Sequence, residues 1–429
     1  MQRFLRTVFS LVLFGILLSF LHVELAQAQK SKSNRPRERV LLKMEREYLA
    51  KLDADASPLK VGSKATLWLL SGKKSEGEIT DVVAGKQPGT LKKIGIQSSG
   101  KKLKFTTDAV SRIEIDGKIY EVLIDAEKKG QVLLDMARRD EVVATRLKAA
   151  RLELWPEPTD DQQSAAVAEY KTYLQEVQAA FPNQKFTLHE TQFFLFLTDI
   201  PANQISGYIA NLDEMYEQLC NLFAIPPQRN IWRGKAMVVA FLNQPDFLTF
   251  EQKFLNTDAQ GKYGVCHSSS NGRVLTACHR GTDPAAFAGM LVHETSHGFV
   301  HRFRSSARIP SWMNEGIAEW VSAAVVSADK QVARKQQVAV DRMRGTGSME
   351  GTFEATGLAF GGQNAWQYGA ASGLTDFLIR RDPTLYRAFL TAIKEGQTWQ
   401  ESLQEIYGMT PADLAQTFGR QINIPNLTP

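Results

Sequence analysis

The sequence predicts an α+β protein in which a small β-barrel of SH3-like type precedes a larger domain of helices and strands. Residues 58–125 contain five short runs of alternating apolar and polar residues, separated by turns with glycine, proline and Asp-Gly. Such closely spaced short strands are typical of small barrels. Beyond residue 159, short apolar runs alternate with longer amphipathic ones and an antiparallel hairpin follows. That second pattern favours an α+β domain.

The first 28 residues have the pattern of a secretory signal peptide. Arg3 and Arg6 precede an apolar run over residues 8–21, and Ala26 and Ala28 are the small residues of a cleavage site. We expect cleavage after Ala28 and an exported protein, periplasmic or extracellular; an uncleaved anchor is the alternative. Because no second long apolar run follows, we expect no stable membrane insertion after cleavage.

Residues 29–57 are charged and prone to form a helix, so we interpret them as a tether or a short helix. The chain has a net charge of +5, and residues 30–60 hold nine Lys and Arg against five Asp and Glu. Such a basic region can contact an anionic envelope polymer, although a solvated face is the simpler interpretation. We expect no nucleic-acid partner.

The predicted barrel module spans residues 58–125. Its clearest turn is Asp116-Gly117, which lies between two apolar runs and predicts a hairpin. The module has no catalytic constellation, so we interpret it as a binding or spacer module. Residues 126–158 are predicted to be a helical linker that ends at the sequence WPEP.

Residues 159–429 form the predicted main domain. Thr159 or Asp160 is expected to cap a helix that runs to about residue 180. The further predicted elements are, in chain order, a strand over 193–199, a helix over 203–223, a strand over 235–242 and a hairpin over 263–279.

Two of the three cysteines, Cys266 and Cys278, flank the turn of that hairpin. A three-residue loop over Asn271–Arg273 would place them opposite each other, and an exported protein can oxidise such a pair to a disulfide. A two-residue loop would miss that register by one residue, so a bridge and two free thiols are equal alternatives. Cys220 lies in an apolar helix and is expected to be a buried free thiol.

The stretch LVHETSHGFVHRF carries the clearest chemistry of the chain. Asp283 and Pro284 predict the start of a helix that contains it. His293 and His297 are four residues apart, so their imidazoles lie on one face about 6 Å apart and can bind one zinc ion. Glu294 lies about 100° round the helix, where it reaches a water molecule beside the metal rather than the metal itself.

His301, one turn further on, cannot join the same ion. Eight residues separate it from His293, a rise of about 12 Å on a straight helix. Two zinc–nitrogen bonds of about 2.1 Å cannot span that distance. We therefore expect His301 either to lie on the helix face or to support a ligand residue without touching the metal.

A second predicted helix, over residues 308–326 with Ser311 as its cap, supplies the missing ligand. It carries Glu315 and Glu319 four residues apart on one face. If this helix returns antiparallel past the histidines, Glu315 binds the metal. Glu319, one turn on, then accepts a hydrogen bond from a ligand histidine and fixes its tautomer.

HETSH followed by WMNEGIAEW resembles the gluzincin metallopeptidases, the clan of thermolysin and the zinc aminopeptidases. In that clan HExxH is followed downstream by Asn-Glu, a small residue and a further acid. The resemblance implies that His293, His297 and Glu315 bind one Zn²⁺ per chain, that Glu294 is the general base and that Glu319 supports a ligand. It extends more faintly over residues 190–395 and implies a gluzincin-like domain. The chain is most similar to secreted bacterial members of the clan that have no named substrate.

The resemblance also bears on three other segments. The hairpin occupies the position of the clan's substrate-binding edge strand. Tyr368, near the start of a predicted helix over 364–381, matches the tyrosine that polarises the oxyanion in the aminopeptidases, although Trp366 can align there instead. The segment GSMEG at 347–351 is similar to the aminopeptidase motif GxMEN, but it follows the site and lacks the asparagine. We interpret it as a flexible loop.

These residues together predict an exported zinc peptidase that hydrolyses peptide bonds with water activated by the metal and by Glu294. Its expected substrates are peptides or proteins, with peptide cross-links of the envelope as one class. The alternative is a catalytically inactive envelope protein with a structural or ligand-binding zinc site. The intact Glu294 argues against that alternative, because a purely structural site has no use for a base.

Overall fold

The computed structural model describes residues 39–40, 58–71, 73–125, 128–226, 228–355 and 365–429. The predicted signal peptide and most of the predicted tether lie outside these ranges. Within them the protein is α+β, and its helices are α1 (Met136–Ala149), α2 (Asp160–Ala180), α3 (Ala202–Phe223), α4 (Gln244–Leu255), α5 (Pro284–Arg302), α6 (Ser311–Val325), α7 (Gln331–Thr346), α8 (Trp366–Arg381), α9 (Pro383–Lys394), α10 (Trp399–Tyr407) and α11 (Pro411–Gln421). Among these helices, none combines the length and hydropathy that a membrane crossing requires.

Among the described residues, the first sheet contains eight strands. They are β1 (Arg39–Val40), β2 (Lys64–Leu69), β3 (Lys74–Ala84), β4 (Leu91–Ser98), β5 (Lys101–Thr106), β6 (Val110–Ile115), β7 (Lys118–Asp125) and β8 (Gly130–Asp135). The strand order is β1-β7-β6-β2-β3-β4-β5, and β8 pairs with both β7 and β4. All pairs are antiparallel except β1 with β7. Alternate apolar residues of these strands, such as Ile79, Ile94 and Ile113, form one core.

The five predicted runs of this region are all strands. Asp116 and Gly117 form the predicted turn between β6 and β7, and both have positive φ, 49° and 76°, as a type I′ hairpin turn requires. The predicted helical linker is wrong at its start, because β8 pairs with β7 and buries Val132 and Leu134. Helix α1 begins only after Asp135, whose carboxylate caps it.

The second sheet has five strands and is covered on both faces. Its strands are β9 (Thr187–Glu190), β10 (Phe194–Thr198), β11 (Ala236–Phe241), β12 (Gly264–Ser268) and β13 (Val274–His279), in the order β12-β13-β11-β10-β9. The three middle strands are parallel and the two outer ones pair antiparallel. Alternate residues pack toward α2 and α4 on one face and toward α3 and α5 on the other, which explains their continuous apolar runs.

The predicted helix starts hold with one exception. Thr159 caps α2 in a capping box with Gln162, and Asp283 caps α5 with Pro284 in its first turn. Ser311, predicted to cap α6, is instead the first helical residue after Pro310 and makes no capping hydrogen bond. The chain enters α6 through the fixed φ of proline, so no side-chain cap is needed there.

Helix α6 packs against both α5 and α8, and α7 packs against α8. The contact between α6 and α8 is close because Gly316 faces it: a Cβ atom there would lie 2.2 Å from Thr375 Oγ1 and 2.6 Å from Ala371 O. Gly369 of α8 similarly faces α7, where a Cβ would lie 1.9 Å from Lys335 O. The two glycines allow the helix backbones to approach at a distance that no other residue permits.

We expect Gly316→Ala to lower the free energy of unfolding by about 1–3 kcal/mol, because the added methyl group overlaps a neighbouring backbone carbonyl. Gly207→Ala on α3 is the matched control, since a Cβ there meets nothing within 4 Å. This control should be neutral or stabilising by about 0.5–1 kcal/mol. Chemical denaturation of the two variants measures the difference. Equal stability of both would contradict the close packing of α6 on α8.

Candidate metal centre

His293, His297 and Glu315 bring three ligand atoms together. The two histidines lie on α5 with ring centroids 4.9 Å apart and ring planes at 89°. Glu315 comes from α6, and its Oε2 lies 3.2 Å from His293 Nε2 and 3.6 Å from His297 Nε2. The three ligand atoms all lie within 4.8 Å of one another. Residues far apart in sequence thus meet where two helices pack.

These separations suit a single tetrahedral ion. Ligands bound about 2.1 Å from zinc at tetrahedral angles lie about 3.4 Å from one another. The two measured separations, 3.2 and 3.6 Å, fall on either side of that value. Two imidazoles with one carboxylate are also a donor set that zinc accepts while keeping a fourth position open. The residues therefore fit the metal that the sequence predicts.

Glu319 orients one of the two histidines. It is only 1% exposed, and its Oε1 lies 3.3 Å from His293 Nδ1. With Nδ1 on this carboxylate, the ring is oriented so that Nε2 faces Glu315 Oε2. Lys335 of α7 donates to the same Oε1 at 2.5 Å. Lys335 was not predicted as a site residue, because α7 was not predicted and no spacing rule links this lysine to HExxH.

The ionisation of the cluster is set by mutual pairing. Burial alone would lower the pKa of His293, but hydrogen bonds to Glu315 and Glu319 outweigh it and raise the pKa. Burial likewise opposes the ionisation of Glu319, yet His293 and Lys335 hold its pKa below the usual range. The pKa of Glu315 is also lowered, because the two histidines outweigh its burial. Both carboxylates are therefore anionic at neutral pH.

Glu294 lies beside the cluster without belonging to it. Its pKa is raised, chiefly by burial; the two histidines oppose the shift and Glu315 adds to it. The strand β12 passes against this side chain at Gly264, where a Cβ would lie 3.1 Å from Glu294 Cγ and 2.5 Å from Met290 Sδ. The edge strand thus comes close to Glu294 because residue 264 has no side chain.

Tyr368 lies on α8 with its ring centroid 6.5 Å from that of His293. Burial raises the pKa of its phenol, and Glu315, Glu294 and Glu319 add to the shift. The hydroxyl is therefore protonated at neutral pH and can donate a hydrogen bond.

Trp366, the other residue that can align with the tyrosine, occupies different surroundings. It lies under the guanidinium of Arg342 and lines a cavity of about 260 Å³ with Ser348 and Glu350. Segment 347–351 lies outside the helices and strands, as a loop does. Met349 within it is fully buried and its N–H donates to Thr428 O at 2.8 Å, so this loop is anchored at residue 428.

His301 lies apart from the cluster, as its spacing predicts. Its ring packs on that of Trp155 with centroids 5.1 Å apart, and its Nε2 lies 3.3 Å from Ser269 O. Burial, together with the charge of Lys394, lowers its pKa to about 4. His301 is therefore a neutral packing residue between α5 and the hairpin loop.

The predicted bridge between Cys266 and Cys278 does not form, and all three cysteines are free. The hairpin loop has three residues, as the bridged alternative required. It begins one residue earlier than predicted, because Ser269 N–H donates to Arg273 O. This moves the register by two residues and places Cys266 opposite Thr276. Burial and the nearby Glu294 raise the pKa of Cys266 to about 12, so its thiol is protonated and unreactive. Cys220 is buried and free, as expected.

No protein-family model matches this chain, and no curated protein matches it. Among solved structures, a similar chain is the crystal structure of a functionally unknown conserved protein from Bacillus anthracis str. Ames. The two share 9% sequence identity over 91% of this chain and 78% of that chain, with a TM-score of 0.26. A likeness of that size supports no functional assignment.

We expect three alkylated thiols when the unfolded protein is treated with iodoacetamide without a reductant, because the register separates Cys266 from Cys278. Intact mass spectrometry counts the adducts. A single adduct, with two more appearing only after reduction, would mean that the hairpin pair is bridged and that the register is the predicted one.

Proposed function

We propose that this chain is an exported, zinc-dependent peptidase of gluzincin type that hydrolyses peptide bonds. The observation that carries the proposal is the meeting of His293, His297 and Glu315 at separations suited to one tetrahedral ion, with Glu294 directly beside them. The signal-peptide pattern of residues 1–28 supports export. A base adjacent to an open metal site favours hydrolysis over a purely structural role.

In this proposal His293, His297 and Glu315 hold the zinc ion. When bound, zinc would acidify a water molecule and polarise the scissile carbonyl. Glu294 accepts the proton of the attacking water and passes it to the leaving amine. Its buried position supports this role, because burial raises its pKa toward the range of an effective general base. Tyr368 donates a hydrogen bond to the oxyanion that forms at the attacked carbonyl.

The strand β12 offers the position for an extended substrate. It forms the edge of the second sheet, with β13 as its only neighbour among the described strands. A peptide that pairs with the open edge of β12 adds a strand to the sheet. Since Gly264 of this strand lies against Glu294, such a peptide runs next to the base. A peptide or protein is therefore the substrate class we propose.

For the N-terminal module we propose a small closed barrel of SH3-like type. The strand β8 pairs with β7 along its length and with β4 at Leu91 and Gln131. These pairings connect two otherwise distant strands of the sheet, as closure of a barrel requires. The lysines of β5 are exposed. We therefore propose that this module contacts an anionic envelope polymer.

The metal assignment predicts about one zinc per chain in protein purified without chelators. His297→Ala should lose this zinc, because only two ligands remain. His301→Ala is the matched control: it removes a histidine from the same helix, one turn on, and should retain the metal. Elemental analysis of the three proteins provides the test. Wild-type protein without stoichiometric zinc would overturn the proposal.

The roles of the two glutamates predict different defects. Glu294→Gln should keep zinc and lose activity by about 10²- to 10⁴-fold, because the amide cannot accept the proton. Glu315→Gln replaces an anionic ligand by a weak neutral one, so zinc affinity should fall and added zinc should partly restore activity. Zinc content and hydrolysis of a peptide library measure both. Full zinc binding without hydrolysis by the wild type would favour the inactive zinc-binding protein instead.

A further inference from the structure

We infer that Lys335 is a positioning residue of the zinc site, which holds the Glu319 carboxylate in place on His293. This inference rests on the proposed function, since it concerns how a zinc ligand is oriented. Lys335 is not one of the three proposed ligands. It would act on zinc binding through Glu319, with which its ammonium pairs.

The few contacts of the Glu319 carboxylate indicate that Lys335 holds it in place. Lys335 Nζ and His293 Nδ1 converge on the same oxygen, Oε1, at 2.5 and 3.3 Å. The second oxygen, Oε2, is buried and has no hydrogen-bond partner among the described residues. The shorter of the two contacts to Oε1 comes from the lysine. Without it, the carboxylate would keep only its longer hydrogen bond to the imidazole and would be free to rotate away.

The backbone of α7 is built to present Lys335 at this point. The carbonyl oxygen of Lys335 lies against Gly369 of α8, where a Cβ atom would overlap it. The next residue, Gln336, donates through Nε2 to Ser372 Oγ at 2.9 Å and fixes the same stretch of helix. The ammonium also lies 5.4 Å from the centre of the Tyr368 ring. Helix packing therefore directs the ammonium of this lysine toward the site.

Two electrostatic effects of Lys335 on a bound cation oppose each other. Its positive charge repels the metal, but the side chain is 39% exposed and lies beyond the Glu319 carboxylate, so solvent weakens this repulsion. Against that, a carboxylate that is 1% exposed is stable as an anion only while it is paired. The second effect is larger, because loss of the lysine leaves a buried charge poorly paired. Removal of Lys335 should therefore weaken zinc binding.

The test is zinc affinity, measured on the purified protein by competition with a chromogenic chelator at fixed pH and salt. Lys335→Met keeps the apolar stem and should weaken binding by about tenfold, the lower end of what outer-shell substitutions cost. Lys335→Arg, which keeps a charged donor, should recover most of the loss. Arg334→Met is the matched control, because it removes the same charge from the exposed neighbouring residue and should change affinity by about twofold or less.

A double-mutant cycle separates positioning from a general effect. If Lys335 acts through Glu319, then Lys335→Met in a Glu319→Gln background should add no further loss of zinc affinity. Additive losses, or a Lys335→Met protein that binds zinc at least as tightly as the wild type, would overturn the inference and leave the zinc assignment intact. Wild-type protein that binds no zinc would overturn the proposed function and this inference together. Thermal unfolding of each variant, with a midpoint near that of the wild type, shows that affinities are compared between folded proteins.

Discussion

The buried carboxylate of Glu319 connects the helices on which the site is built. It lies on α6 and contacts His293 of α5 and Lys335 of α7. A buried charge is tolerated only when it is paired and hydrogen-bonded. A shift of any of these helices would leave the carboxylate unpaired and would destabilise the folded protein. In the proposed zinc site the same carboxylate would also set the tautomer of His293. Helix packing and the proposed ligand geometry therefore depend on one side chain.

Close helix packing provides the other half of this arrangement. Each of three site residues is followed directly by glycine, in the pairs His297-Gly298, Glu315-Gly316 and Tyr368-Gly369. A Cβ at these glycines would overlap Val274, Ala371 and Lys335 respectively. Each of these side chains thus lies next to a close contact between its helix and a neighbouring element. Close packing at these points limits the movement of each helix. Such precision matters at a proposed metal site, because ligand atoms must be placed to within a few tenths of an ångström.

The sequence predicted the local parts of this protein better than the parts that depend on packing. Helix α5, the stripe of His293 and His297, the position of Glu294 and the turn at Asp116-Gly117 follow from periodicity and turn chemistry. The register of the hairpin did not, because Ser270 and Asn271 can each begin a three-residue loop, and the observed pairing of Ser268 with Val274 corresponds to the loop that begins at Ser270. Lys335 was missed for a similar reason. Its role comes from the contact of α7 with α8, which no local pattern encodes.

Helix α1, which follows the N-terminal sheet, stabilises the end of α5 without supplying a side chain to the ligand cluster. Beyond the end of α5, Arg304 forms ion pairs with Glu395 and with Asp140 of α1, and Arg139 of α1 also binds Glu395. The buried ammonium of Lys394 donates to the carbonyls of His301 and Ala307 at 3.3 and 2.7 Å. Since Asp283 caps the other end of α5, the helix that carries both histidines is fixed at its two termini. If zinc binds as proposed, ligands held in this way lose little freedom, which favours affinity. Helix α1 therefore acts on the site through the rigidity of α5.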